Sequence, residues 1–274
     1  MATVHKTAQA GFGAGTNDAY DLYRLTYPEE QLDYIQTALS NPTGPLNILE
    51  LASGTGIFTR CLLAHKSLGQ AIGKLRAVEP SAGMRTRFEE TVKDNRISCS
   101  NGTFDNTGVE DGWADLVAIA QAWHWCPDHE AALTEIARVL KPEGILVLIW
   151  NLGDLETTWV GQLRSLYEPY DEGSPQYRKG TWRKMFDAHA FKELYKQPQD
   201  EHEITWISPV TKDGAVNRTF TVSYVAILHE DEKVKLRQQI TAVVERGEGR
   251  KWIDQDKGIF EYPHKNLVVV LRKK

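Results

Sequence analysis

The sequence predicts an α/β protein built on a mostly parallel sheet, and three observations carry that prediction. Short apolar runs at Ile48-Leu49, Ala77-Val78, Leu116-Val117-Ala118-Ile119 and Ile145–Ile149 lack polar alternation, as strands buried on both faces do. Stretches with apolar residues at helical spacing separate them. The first run closes in an acid and a small-residue turn, Glu50-Leu51-Ala52-Ser53-Gly54-Thr55-Gly56, directly before a helical stretch from Ile57 to Ala64. Such a handover from strand to helix is where α/β proteins place ligands, and Gly54 and Gly56 let the backbone turn tightly beside one.

The residues around that turn narrow the ligand. A dinucleotide fingerprint needs a third glycine or alanine where this chain has Thr59. No phosphate loop occurs either: the stretch from Gly69 to Gly73-Lys74 is one residue short and Leu75 follows. NAD and ATP are therefore disfavoured. A second acid, Glu79, ends the next apolar run 23 residues past Gly56, close to the spacing of about 20 from which a carboxylate receives ribose hydroxyls. A nucleoside without a pyrophosphate fits both facts.

Four segments between Asn47 and Asn151 carry a more specific likeness: Glu50–Gly56, Ala77-Val78-Glu79-Pro80-Ser81, Asp115-Leu116-Val117 leading to Trp123-His124-Trp125, and Arg138–Gly144. In order and spacing they resemble the core of a class I S-adenosylmethionine-dependent methyltransferase, of the small-molecule group similar to trans-aconitate and ubiquinone-pathway methyltransferases. The resemblance implies a Rossmann-like, seven-stranded, mostly parallel sheet with one antiparallel strand, plus a helical cap. It implies S-adenosyl-L-methionine as cofactor, S-adenosyl-L-homocysteine as product and an enzyme of EC class 2.1.1. Two residues depart from the family pattern, Ala52 and Glu143, each where glycine is usual. Alanine is acceptable there if its φ is negative.

At 274 residues, 41% of them hydrophobic, the chain suits one domain with an embellishment. The expected division is a lid segment over 1–40, a cofactor-binding core over 46–151, a helical cap over 152–200, and strands and a helix over 201–274 that complete the sheet. A net charge of −5 offers no attraction to nucleic acid or an anionic membrane, so the expected partner is a small-molecule substrate. Neither a transmembrane run nor a secretory segment is expected, and Cys61, Cys99 and Cys126 show no metal-like pairing; a cytoplasmic setting follows.

In chain order, a tyrosine-dense stretch precedes Pro28, and a helix then runs through Leu32, Ile35 and Leu39. By resemblance the stretch is a lid, with Tyr20 and Arg24 facing the cofactor and Tyr23 the substrate; packing of the tyrosines onto the sheet is the other reading. Pro80-Ser81 caps a helix with Met84, Phe88 and Val92 on one side, and the resemblance brings Pro80 and Met84 near the adenosine. Ile97–Cys99 is a third strand, followed by Thr103 and Phe104, which the resemblance places beside the adenine. The fourth strand, Asp115–Ala120, delivers Gln121, Trp123, His124 and Trp125 to the carboxyl edge of the sheet. Asp128 caps the next helix, Lys141–Gly144 ends it, and Ile145–Ile149 is the fifth strand, with Trp150 leaving it. Leu152 to Gln199 is aromatic-rich without a strand pattern. His202–Ile207 is a sixth strand, Ser223–Val244 a helical pair or one long helix, and Asn266–Leu271 the last, antiparallel strand.

The candidate cofactor residues are thus Tyr20, Arg24, Glu50, Ala52, Gly54, Gly56, Glu79, Pro80, Met84, Thr103, Phe104 and Gln121. Around the acceptor stand Tyr23, Trp123, Trp125 and Trp150, each alternatively a packing residue. His124 has the ordinary pKa of a general base, and against that stands a role as pocket wall. No metal is expected, because the eight histidines form no helix-spaced pair. Asp18, Asp21, Glu110 and Asp111 read as solvated charges. The expected reaction is methyl transfer to a small organic acceptor at oxygen, a carboxylate or phenol. The alternatives are transfer of another S-adenosyl-derived group, or a catalytically inactive cofactor-binding regulator.

Overall fold

Pro28 separates two helices, α1 (Asn17–Tyr23) and α2 (Glu29–Ala38); at the N-cap its missing N–H costs no helical bond. The computed structural model describes residues 17–39 and 44–274. Residues 1–16 and 40 of the expected lid segment, the Gly11–Thr16 stretch among them, lie outside the described residues, as does the side chain of Asp18.

Alternation of short apolar strands and helices then builds the sheet. β1 (Leu46–Leu51) leads into α3 (Ile57–Ala64) and the one-turn α4 (Leu68–Ala71). β2 (Ile72–Val78) leads into α5 (Ala82–Thr91), whose N-cap Ser81 accepts the Met84 N–H. β3 (Ile97–Ser100) and β4 (Ala114–Ala120) follow, then α6 (His129–Val139), capped by Asp128, and β5 (Leu140–Gly153). The remainder comprises α7 (Thr158–Tyr167), α8 (His189–Leu194), β6 (Asp200–Val210), α9 (Lys212–Thr219), α10 (Ser223–Ala226), α11 (Glu230–Arg246), β7 (Trp252–Asp254) and β8 (Ile259–Arg272).

The strand order is β3-β2-β1-β4-β5-β8-β6. β1 to β5 pair in parallel, and β8 runs antiparallel to both β5 and β6. The chain order reverses between β1 and β4, so their carboxyl ends frame the crevice in which such sheets bind ligands. The expected seven strands form this continuous path. An eighth, β7, pairs only with the start of β8; it is three residues long with Trp252 and Ile253 exposed, too short to leave a pattern in the sequence.

Side chains of successive strand residues divide between two faces. Leu49, Leu51, Val117, Ile119, Leu146 and Leu148 pack with α6 and α8 on one, while Ile48, Leu116, Ala118 and Val147 pack with α2, α3 and α5 on the other. A third cluster joins α7, α9, α10 and α11 around Trp159, Tyr224, Leu236, Ile240 and Phe260. The stretch expected as one cap over 152–200 therefore divides. α7 packs with the 212–246 helices, whereas Trp182, Met185, Phe191 and Tyr195 belong to the sheet's own core.

Three expectations are corrected. β5 is not confined to Ile145–Ile149: it begins at Leu140, passes an irregularity in its register opposite Ala114–Leu116, and contains Trp150 and Asn151. Ala52 has φ of 53° and Glu143 φ of 63°, so both non-glycine residues at the family's glycine positions are left-handed. Asp21 is no solvated charge, since it pairs with Arg60 at 2.6 Å; Glu110 and Asp111 sit at the surface, paired with Arg76 and Arg138. Among the described residues no helix is long and apolar enough to cross a membrane, no cluster of potential metal ligands occurs, and the three cysteines are free.

Candidate cofactor and acceptor site

The turn after β1 is left-handed at alternate residues, Ala52, Gly54 (φ 57°) and Gly56 (φ 83°). At Gly56 the glycine is also a matter of space: a Cβ would stand 2.6 Å from Val92 Cγ2 and 2.9 Å from Phe88 Cδ2. The Gly54 N–H donates to Glu79 Oε2 (3.0 Å) and the Ser81 N–H to Oε1 (2.8 Å), so the acid ending β2 ties two loops together at the crevice. Burial pushes the Glu79 carboxyl up, against those two hydrogen bonds and Arg85.

Thr59, the residue that excluded a dinucleotide motif, is fully buried and donates its hydroxyl to Glu50 Oε2. Burial raises the Glu50 pKa to about 8 despite that bond and Arg60. Its other oxygen has no hydrogen-bond partner among the described residues. α1 is fastened to the same turn: Asp21 Oδ1 accepts from Thr55 Oγ1 at 2.8 Å and from Arg60 Nη2 at 2.6 Å.

Two cavities meet here. The smaller is lined by Tyr20, Arg24, Glu50, Ala52, Gly54 and Gln121, with Tyr27, Phe58 and Asn151. The larger, about 1000 Å³ including its open mouth, lies beneath α7, α9 and α10 and is walled by His124, Trp125, Arg164, Tyr177, Arg178 and Tyr262 among others. Tyr20, Arg24, Gln121, Asn151 and Arg218 border both. Gln121 is left-handed at φ 58°, held by its N–H to the Ile149 carbonyl and by its amide to the Asn151 carbonyl, each 2.8 Å. Asn151 in turn donates to the Thr26 carbonyl (2.9 Å) and accepts from Trp206 and Asn266, joining the segment before Pro28 to β6 and β8.

Of the expected cofactor residues, Gly56, Glu79, Pro80, Met84, Thr103 and Phe104 do not border these cavities. Met84 is buried core, Phe104 packs edge-on against Trp123, and Thr103 hydrogen-bonds Asp105. Of the expected acceptor residues only Trp125 lines the larger cavity. Trp123 and Trp150 are wholly buried behind it, a correction to their reading as walls, and Tyr23 is half-buried away from it. Trp150 packs on Trp182 and Tyr177 and donates its indole N–H to His124 Nδ1 at 3.3 Å. Burial, with the Arg24 charge, pushes the His124 imidazole down to about 3.

Comparison with known proteins is consistent along the chain. Residues 49–148 match the methyltransferase domain model. An uncharacterized methyltransferase-like protein of Schizosaccharomyces pombe is 31% identical over 176 residues, 64% of this chain and 65% of its own length. An uncharacterized methyltransferase of Mycobacterium tuberculosis is 28% identical over 228 residues, 82% of this chain and 81% of its own. Residues 49–148 thus form a methyltransferase domain, and the chain is similar to S-adenosylmethionine-dependent methyltransferases. The fold agrees: the YcgJ protein of Bacillus subtilis superposes with TM-score 0.52 at 16% identity, over 90% of this methyltransferase and 99% of that chain. A Haemonchus contortus phosphoethanolamine N-methyltransferase, crystallised with S-adenosylhomocysteine, superposes with TM-score 0.51 at 14% identity, over 93% of this chain and 56% of that one.

The residues of this methyltransferase fit its cofactor. The unpartnered Glu50 oxygen at the smaller cavity is an acceptor for an ammonium, and the buried Arg24 Nε, likewise unpartnered among the described residues, is a donor for a carboxylate. Sequence motifs did not reveal Arg164, Arg178, Arg218, Asn151 or the Asp21 latch. Those residues come together only through contacts far apart in sequence, and the interleaved tyrosines and arginines of 164–178 were the one local sign.

Proposed function

We propose that this methyltransferase methylates an oxygen already ionised near neutral pH, a carboxylate on a small organic acid. S-adenosylmethionine, when bound, supplies an electrophilic methyl on a sulfonium. The task of the chain is to aim the acceptor and exclude water.

The hydrogen bond from Trp150 to His124 carries the reading. An indole N–H only donates, so Nδ1 of His124 holds the lone pair and its proton sits on Nε2. His124 thus offers the cavity an N–H rather than a base. Among the described residues no aspartate or glutamate borders the larger cavity, and burial keeps the Tyr224 and Tyr262 hydroxyls protonated. A phenol or ammonium acceptor has to shed a proton to something; a carboxylate does not. Arg24, Arg164, Arg178 and Arg218 on the wall also repel an amine. In this reading α1 and the chain to Pro28 act as lid, the α7 and 212–246 helices as cap, and the free cysteines fit a cytoplasmic enzyme.

Incubation with methyl-labelled S-adenosylmethionine and a panel of carboxylic acids, phenols and amines tests this. Product label released as methanol by mild alkali is expected, because methyl esters hydrolyse. Label that survives alkali, on a phenol or amine, would contradict it.

A further inference from the structure

Asn151, near the end of β5, holds two separate parts of the site at once. Its carbonyl accepts the Gln121 amide at 2.8 Å, and its side chain donates to the Thr26 carbonyl at 2.9 Å. The orientation of that side chain is forced. The Trp206 indole N–H can only donate, so the atom it meets at 3.1 Å is Oδ1, and Nδ2 is left for Thr26, whose carbonyl can only accept. Asn266 donates to the same Oδ1 at 2.7 Å, and its own carbonyl accepts from Gln31 of α2 at 3.1 Å. All three amides are buried. Packing alone does not call for amides in an interior, where each has to be paired to offset its desolvation; at position 151 the amide adds a fixed link to Thr26.

Thr26 lies two residues past Arg24. Arg24 donates its backbone N–H to the Tyr20 carbonyl (3.0 Å) and its Nη2 to the Thr221 carbonyl (2.6 Å), with its guanidinium 4.7 Å over the Tyr20 ring. Gln121, at the exit of β4, keeps its left-handed backbone because its surroundings over-determine it. Both residues border both cavities. We propose that Asn151 is a positioning residue: by tying Thr26 and Gln121 to one point of β5 it sets where Arg24 stands at the junction of the cavities, and so where the carboxylate end of the S-adenosyl ligand is gripped. This rests on the cofactor reading of the site. Placement matters there because methyl transfer needs the sulfonium and the acceptor in line.

Calorimetric titration with S-adenosylhomocysteine and with methylthioadenosine, which lacks the amino-acid end, tests the role. Asn151→Leu keeps the approximate shape without a donor or a charge. It should lower the preference for S-adenosylhomocysteine over methylthioadenosine about fivefold, the scale of one lost hydrogen bond, with methylthioadenosine affinity unchanged. Asn151→Ser, too short to reach Thr26, should show the same fall and serves if the leucine variant does not fold. Trp206→Phe strips a donor from the same Oδ1 but leaves the Thr26 bond, so it should lose stability with the preference intact. In an Arg24→Met background Asn151→Leu should add no further loss. In the wild type, hydrogen exchange over residues 20–27 should slow with S-adenosylhomocysteine and not with methylthioadenosine, a readout independent of any variant. The proposal is overturned if the preference survives Asn151→Leu or Asn151→Ser, if both ligands weaken alike, if Trp206→Phe lowers the preference as much, if the loss persists without Arg24, or if both ligands protect 20–27 equally. Failure of S-adenosylhomocysteine to bind the wild type would overturn the cofactor reading and this role with it.

Discussion

Trp150 reaches His124 Nδ1 with its indole N–H across 3.3 Å, and that one contact puts the proton of the neutral imidazole on Nε2. A glutamine amide reproduces an Nε2–H donor but cannot act as a base. His124→Gln should therefore keep turnover within about threefold, and His124→Leu should lose about 10- to 100-fold, the range for one lost donor worth ~1.5–3 kcal/mol. Steady-state kinetics with an identified acceptor checks this. A bell-shaped rate profile with a limb near the histidine range, or His124→Gln as inactive as His124→Leu, would restore the base.

Buried histidines and Glu50 bend the stability curve from opposite sides. His264 is held neutral down to about 2, while in the unfolded chain it protonates near 6.5. Below about pH 6.5 the unfolded state takes a proton that the folded state refuses. Stability then falls as pH falls, by up to about 1.4 kcal/mol per pH unit for this group. Denaturant titrations from pH 7 to 4 should show the loss, and His264→Gln should shrink it.

Glu50 acts in the other direction, with a folded pKa of about 8 against an ordinary 4.5. The folded state keeps a proton that the unfolded state releases, so this contribution is complete below about pH 4.5 and is lost as pH rises to about 8. Glu50→Gln keeps the acceptor for Thr59 without the ionisation. It should raise the stability of the cofactor-free protein near pH 8 by on the order of 1–3 kcal/mol and weaken S-adenosylmethionine binding, as functional sites often trade the one for the other. Chemical denaturation and calorimetry on the same variant read both effects.

Much of this was legible before the structure. β1, β2 and β4 are short apolar runs that only a doubly covered strand explains, and the glycine turn with Glu50 and Glu79 follows from spacing. β5, β6 and β8 read too short because their ends carry Lys141, Glu143, Asp200, Glu201, Glu261 and Lys265, polar residues at exposed or half-covered positions that interrupt an apolar pattern. α9 was missed because its residues are mostly polar and its start is set by one Thr211 hydroxyl accepting the Gly214 N–H. Trp123 and Trp150 flank His124 in sequence or in space, yet the fold turns their rings into the core. Position near a site does not tell which way a side chain points.

Ala52 and Glu143 each hold a left-handed backbone that costs a non-glycine residue roughly 1–2 kcal/mol. Glycine removes that cost but adds unfolded-state entropy of about 0.4–1 kcal/mol. Ala52→Gly should stabilise by about 0.5–1 kcal/mol in urea titrations. Glu143→Gly should gain less, because it also removes the surface pair with Lys196 at 2.6 Å.

Asp21 ties α1 to Thr55 and Arg60, so its loss should loosen α1 rather than the sheet. Asp21→Asn should speed release of S-adenosylhomocysteine about 5- to 10-fold, as expected for the loss of ~1–1.4 kcal/mol in a partly buried ion pair, with thermal stability little changed. Stopped-flow displacement measures it; an unchanged off-rate would leave Asp21 as packing only.

Cofactor identity is tested most directly by calorimetric titration of the wild type and Glu79→Ala with S-adenosylmethionine and S-adenosylhomocysteine, with NAD and ATP as controls. Micromolar binding of the two S-adenosyl ligands to the wild type is expected, and none of the controls. A loss of about 10- to 100-fold is expected on Glu79→Ala, because the carboxylate that ties the Gly54 and Ser81 loops together at the crevice is removed, two charged hydrogen bonds worth together ~1.5–3 kcal/mol. Binding of NAD or ATP in their place, or equal affinity in the variant, would contradict it.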